Sequence, residues 1–262
     1  METSSRPLAV VTGASSGIGL ELARVLAARD HDVVVAAEDA AVEDPSLLGG
    51  VPPARAVRCD LRSADGVERL ASEVRAVGRP IDVLALNAGV GQGGPFPGEN
   101  LADHLSIVDL NCRSTVHLAG LLLPDMIERG EGGLLFTASI AAEMPGPYQS
   151  TYHASKAFVH FFAEALRVEL KDSGITVTSL MPGPTDTAFF ERADLEDTNV
   201  GQMPKDDPRS VAEEGLDALF AGRSSVVAGA FRNRVQANVA AHLPDAAVAA
   251  GAAKLNEPGS GS

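Results

Sequence analysis

The chain is poor in positive charge and in cysteine, and its start carries no long apolar run. Lysine and arginine number 21 against 35 aspartates and glutamates, a formal net charge of -14, and no basic run occurs anywhere. That balance excludes non-specific binding to nucleic acid or to an anionic membrane surface. Only two cysteines occur, Cys59 and Cys112, each beside an apolar run. They read as reduced core thiols rather than a disulfide framework. The first residues, METSSRPLAVV, hold no long apolar segment and no cleavage-site pattern. The expectation is a cytoplasmic protein without a membrane span or signal peptide. No histidine pairs with a carboxylate at ligand spacing, so no metal site is expected. His117, His153 and His160 read as surface or interface residues.

What is present is apolar content and punctuation. Hydrophobic residues make up 45% of 262 positions, enough for one large core. Short apolar runs read as strands at 8–11, 32–37, 81–86, 134–138 and 175–180, with a weaker strand at 54–59 and a candidate seventh at 225–228. Helical patterns fall between them: after 19, at 64–78, 101–126, from 152 to a stop at Gly174, and at 209–220. The remainder to about 253 is alanine-rich and helical. Strands alternating with helices imply an α/β fold, a doubly wound parallel sheet of about seven strands with helices on both faces. One Rossmann-like unit is expected over 1–255, with a flexible tail at 256–262. Residues 189–208 are polar and acidic without clear period, which suggests a mobile lid at 188–208.

The residues that carry chemistry gather at strand ends. The first strand runs into Thr12-Gly13-Ala14-Ser15-Ser16-Gly17-Ile18-Gly19 and then at once into a helix. A strand, a glycine-rich turn and a helix start form an arrangement that binds a dinucleotide pyrophosphate. Glu38 ends the second strand, where an acid reaches the adenosine ribose hydroxyls and repels a 2′-phosphate. Tyr152 and Lys156 are spaced i, i+4, on one helix face, and an ammonium there would pull the phenol pKa down. Ser139 closes an apolar strand, and its hydroxyl beside that of Tyr152 would give two donors on one oxygen, as a carbonyl under reduction requires. Asn111 is a polar residue inside an apolar helix, a place where asparagine usually faces solvent. Glu143, Tyr148, Phe189 and Phe190 are candidates to face the substrate.

Together these pieces resemble the short-chain dehydrogenase/reductase family in its single-domain form. The matching residues are TGASSGIG at 12–19, Asp60, NAG at 87–89, Asn111, Ser139, Tyr152-x-x-x-Lys156 and PGPTDT at 182–187, in the family's order. The resemblance implies an NAD(P)(H)-dependent oxidoreductase that moves a hydride between nicotinamide and a ketone, aldehyde or secondary alcohol. It makes Tyr152 the general acid or base, Ser139 the residue that orients the substrate oxygen, and Lys156 the group that lowers the tyrosine pKa and holds the nicotinamide ribose. Asn111 would anchor a water in a proton relay. The cofactor would lie on Gly13, Ser15, Ser16, Gly17, Ile18 and Gly19, then on Glu38, Asp60, Leu61, Asn87, Ala88 and Gly89. Past Tyr152 and Lys156 it would reach Pro182, Gly183, Thr185 and Thr187. The chain departs from the family at Leu86, in the glycine turn, which has no basic residue, and at Ala37-Glu38, which fits neither usual cofactor pattern. Glu38 and Asp39 favour NAD(H); Arg62 is the basic residue that would reverse this by swinging in. A homodimer or homotetramer through helices near 101–126 and 152–172 is also implied. The rival of another class is a cofactor-binding regulator of the same fold with little catalysis.

Overall fold

The computed structural model describes residues 6–240 and 242–261. Its centre is β1 (Leu8–Thr12), whose five residues are all buried. The chain leaves β1 through α1 (Gly17–Ala28) to β2 (Asp32–Ala37), then passes a long connection holding one 3-10 turn (Ala40–Glu43) to β3 (Arg55–Arg58). From there α2 (Ala64–Ala76) leads back across the sheet to β4 (Ile81–Leu86). All pairings are parallel, and the strand order is 3-2-1-4, continuing outward through β5 (Gly132–Thr137), β6 (Ile175–Pro182) and β7 (Ser225–Ala228). The order reverses between β1 and β4, and this topological switch opens a crevice at their carboxyl ends. Thr12 fastens that point: its hydroxyl accepts from the amides of Asn87 (2.9 Å) and Ala88 (3.0 Å).

Period-two alternation along the strands divides the core. In β1, Leu8 and Val10 join one apolar cluster with Leu70 of α2, Leu122 of α4 (Ser114–Arg129) and Val159 of α5 (Ser150–Glu169). Ala9 and Val11 face the other side, with Leu22 and Leu26 of α1 and Leu216 of α8 (Pro208–Phe220). Both faces are therefore covered, which is why the strands read as unbroken apolar runs.

The single helix expected at 101–126 is three pieces in line. These are α3 (Leu101–Ile107), a π-turn (Val108–Arg113) and α4. The widened turn carries Asn111, which is 1% exposed and not solvent-facing. Its burial is a tertiary effect, because the carboxamide finds partners on two other segments.

The stretch expected to be a featureless lid forms α6 (Phe189–Arg192) and α7 (Asn199–Gln202). Phe190, Ala193 and Leu195, with Phe189 and Val200, make a small apolar cluster of their own. Two more helices follow β7, α9 (Phe231–Ala240) and α10 (Asp245–Asn256). The tail, expected to hang free, is hydrogen-bonded to the lid. The Gly259 amide donates to the Asp197 carboxylate (2.9 Å), the Gly261 amide to the Asp197 carbonyl (2.8 Å), and the Ser260 hydroxyl accepts from the Asn199 amide (2.9 Å). Among the described residues, no helix is long and apolar enough to cross a membrane. Both cysteines are free, Cys59 buried and Cys112 half-buried.

Candidate active site

One cleft at the carboxyl ends of the strands takes in every expected catalytic and cofactor-binding residue except Asn111, which stands behind its wall. At one end lies the glycine turn. Gly17 has φ +56°, and a Cβ there would come within 2.9 Å of the Thr187 methyl across the cleft. A Cβ on Gly19 would sit 2.1 Å from the Gly13 carbonyl oxygen, so the turn closes only with hydrogen at both positions. Ser16, at the start of α1, makes no side-chain cap, and the first turn holds no acid. The amide-rich, positive end of that helix is thereby left for an anionic ligand, as a pyrophosphate requires.

The ends of β2 and β3 form the next wall. Asp39 accepts from the Ser15 hydroxyl (3.1 Å) and lies 3.8 Å from Arg192 of the lid. Glu38 is half-exposed and ion-paired with Arg62, which also donates to Asp60 from Nε (2.8 Å). Burial pushes the Asp60 carboxyl up, but the hydrogen bonds and charge of Arg62 outweigh it and hold the pKa below the usual carboxylate value. The arginine that sequence marks as able to swing toward Glu38 is thus already on it.

At the far end, β5 delivers Ser139 and α5 delivers Tyr152 and Lys156. The Ser139 hydroxyl accepts from the Ala141 amide (3.1 Å) and points toward the Pro182 carbonyl (3.4 Å). Burial drives the Tyr152 phenol up to about 12, opposed by its hydrogen bond with Ser139. Lys156 is 5% exposed; its Nζ donates to the Thr137 carbonyl (2.8 Å) and lies 5.8 Å from the Tyr152 ring centroid. Burial lowers its pKa to about 8. The expected depression of the tyrosine pKa by the lysine is therefore not realised here. Desolvation dominates both groups, and the ammonium is turned to a backbone carbonyl and not to the phenol oxygen.

Asn111 locks this end. Its Oδ1 accepts from the Val90 amide and its Nδ2 donates to the Val90 carbonyl, both at 2.9 Å. The same Nδ2 also donates to Ser155 Oγ (2.9 Å), tying the loop after β4 to α5. Gly89 fits between, where a Cβ would be 3.2 Å from both Asn111 Oδ1 and Lys156 Nζ.

The lid expected at 188–208, with Phe189 a candidate to face the substrate, supplies part of the roof; sequence reasoning missed the share of α9 and α10 and one wall. Phe189 lies over Tyr152, ring centroids 5.1 Å apart, while Val200, Met203 and residues of α9 and α10 close the top. No periodic signal marked these helices, because α10 is nearly all small residues. Gln149 lines the cleft three residues before Tyr152 and drew no notice. His153 is buried and hydrogen-bonded to the Met144 carbonyl (3.0 Å), so it is a wall residue and not a surface one. Glu143 and Tyr148 do not line the cleft; Glu143 lies 3.8 Å from His160. Among the described residues no group of three or more metal-ligating side chains occurs.

The fold and this cleft agree with a family model for short chain dehydrogenases, which matches residues 7–197. The chain belongs to the short chain dehydrogenase family. It is accordingly an NAD(P)-dependent oxidoreductase acting on CH–OH and C=O groups. Among relatives, an uncharacterized short-chain type dehydrogenase/reductase of Sinorhizobium fredii is 35% identical over 81% of this chain and 83% of its own length. The ketoacyl reductase HetN of Nostoc is 33% identical over 70% of this chain; the match spans 65% of HetN, just under two thirds. A short-chain dehydrogenase from Sphingobium yanoikuyae, solved in complex with NADPH, superposes with a TM-score of 0.76. It is 29% identical, covering 84% of this chain and 87% of the other.

Proposed function

We propose that this oxidoreductase reduces a ketone or aldehyde, or oxidises the matching secondary alcohol, with Tyr152 as the proton carrier. The observation behind this reading is the meeting of Ser139, Tyr152 and Lys156 at one end of the cleft whose other end is an uncapped helix start. A bound nicotinamide cofactor supplies or accepts the hydride. The chain's own groups do the rest. The Ser139 hydroxyl holds the substrate oxygen beside the phenol. Burial keeps Tyr152 protonated at neutral pH, so in the reducing direction its hydroxyl proton passes to the developing alkoxide. Lys156 presents a positive charge behind the phenol and holds the ribose. Asn111 fixes the wall and anchors the water end of a relay that reprotonates Tyr152. Phe189 and the lid exclude bulk water.

For the adenosine end the reading is NAD(H). Glu38, Asp39 and Asp60 line this wall; Arg62 pairs with Glu38 and Asp60, Arg192 lies near Asp39, and Arg58 donates to the Glu38 carbonyl (3.1 Å), so the reading rests on the local repulsion between the Glu38 carboxylate and a 2′-phosphate. A cytoplasmic location and a homodimer complete it. Leu105 and Val108 of the α3 rod and Phe161 and Val168 of α5 stand 43–69% exposed, each pair three or seven residues apart on its helix.

The test is Tyr152→Phe assayed across a panel of ketones, aldehydes and secondary alcohols. The expected outcome is loss of turnover by about two to four orders of magnitude with cofactor binding retained. Wild-type turnover in the variant would refute the assignment. Cofactor binding by the wild type without turnover of any panel member would favour a binding protein instead.

A further inference from the structure

The end of the cleft beyond Tyr152 is apolar and without charge. Its floor is Ile140, Ala141 and Met144 of the turn after β5; its roof includes Val200, Met203 and Leu255. Each charged residue that lines the cleft is committed elsewhere. Glu38, Asp39 and Asp60 belong to the β2 and β3 ends, Arg192 faces Asp39, and Lys156 is bonded to the Thr137 carbonyl. The His153 ring beside the floor is bonded to the Met144 carbonyl, and burial holds its pKa below the ordinary value, so it brings no charge. An anionic group placed here would lose its water without gaining a counter-charge.

The neutral amides that remain in the lining of this end are those of Gln149, Gln236 on α9 and Asn256. The Asn256 Nδ2 is used, donating to the Pro147 carbonyl (3.1 Å). Gln149 differs: it is 5% exposed, it lines the cleft, and its carboxamide has no hydrogen-bond partner among the described residues. Its amide opens onto the cleft, where a carboxamide without a partner on the protein is available to a ligand. It precedes Tyr152 by three residues, at the mouth of the same helix.

We propose that the substrate is an uncharged, largely apolar carbonyl compound or alcohol bearing a second neutral oxygen, which the Gln149 carboxamide binds. The reacting carbonyl rests on the hydride-transfer reading; the exclusion of charge rests on the lining alone.

Three ligands with one ring separate the two: cyclohexanone, 4-hydroxycyclohexanone and 4-oxocyclohexanecarboxylate. Turnover with the preferred reduced cofactor and calorimetric binding to the cofactor-loaded protein are both measured. The hydroxyketone should exceed cyclohexanone in kcat/KM by about tenfold, and the carboxylate should fall about a hundredfold below it. Gln149→Leu should reduce the hydroxyketone preference to about twofold or less. Turnover of the carboxylate at or above the neutral rings overturns the inference and leaves hydride transfer standing. Tighter binding of the neutral rings than of the carboxylate, with turnover of none, overturns hydride transfer and leaves the exclusion of charge standing. Binding of no ring, or an unchanged preference in a folded Gln149→Leu, overturns the inference.

Discussion

Removing the Glu38 carboxylate, as Glu38→Ser, should move the protein from NAD(H) toward NADP(H). In the wild type Glu38 ion-pairs with Arg62, which Asp60 holds from the other side at 2.8 Å. Glu38 is 49% exposed at the side chain, so its field acts through a medium closer to water than to protein interior. For a phosphate about 5 Å away and an effective dielectric of about 40–80, the repulsion is ~1–2 kcal/mol per unit charge. Serine abolishes that term and frees one side of the Arg62 guanidinium. A new arginine–phosphate contact at an exposed site adds up to about 1 kcal/mol. The sum, ~1–3 kcal/mol, corresponds to a shift of roughly 5- to 150-fold in the ratio of dissociation constants. Side-by-side titration of NADH and NADPH into both proteins measures it, and the shift should shrink at high salt. A ratio that moves less than threefold would refute the reasoning. Tighter binding of NADPH by the unaltered protein would refute the role of Glu38 itself.

Two more outcomes follow from buried charge and from exposed apolar surface. Lys156 has a folded pKa depressed to about 8 from 10.5, so its contribution to stability is present above the unfolded pKa and is lost as pH falls through 8. Between pH 8 and 9.5 the native state should gain on the order of 2 kcal/mol relative to Lys156→Met, read by urea unfolding; parallel pH profiles would refute the burial of a titrating amine. Tyr152, raised to about 12, adds the opposite slope only above pH 10. If the proposed dimer forms through α5, Phe161→Glu, at a side chain 66% exposed, should convert it to monomer in sedimentation velocity at micromolar concentration. An unaltered sedimentation coefficient would place the interface elsewhere.

Much of this was legible in the sequence because it rests on local rules. Six apolar runs and the weaker segment at 54–59 became seven strands; inner strands buried on both faces must be apolar throughout, whereas the edge strand β3 keeps Arg55 and Arg58 exposed. Gly13, Gly17 and Gly19 were legible because a turn that tight forbids side chains. Tyr152 and Lys156 were legible because helical spacing fixes which residues share a face. Position 111 shows where such rules stop. A mid-helix asparagine defaults to solvent, and only the approach of Val90 and Ser155 from distant parts of the chain buries it. The lid shows the same limit. Phe189 and Phe190 stand in an acidic stretch without period, and the cluster they form with Leu195 and Val200 needs the chain to fold back on itself.

By itself, then, the sequence determined the class of fold, the glycine turn at the start of α1 and which side chains could meet in the cleft, all set by backbone sterics and by periods of two and 3.6 residues. Tertiary structure decided the electrostatics and the walls. It placed Arg62 on Glu38, turned Lys156 toward the Thr137 carbonyl, and let burial set the proton affinities of Tyr152 and Lys156. It also brought α10 over the far end of the cleft and put Gln149 in its lining, without a side-chain hydrogen bond among the described residues. Desolvation and long-range packing depend on which surfaces meet, and no local pattern in the chain encodes that meeting.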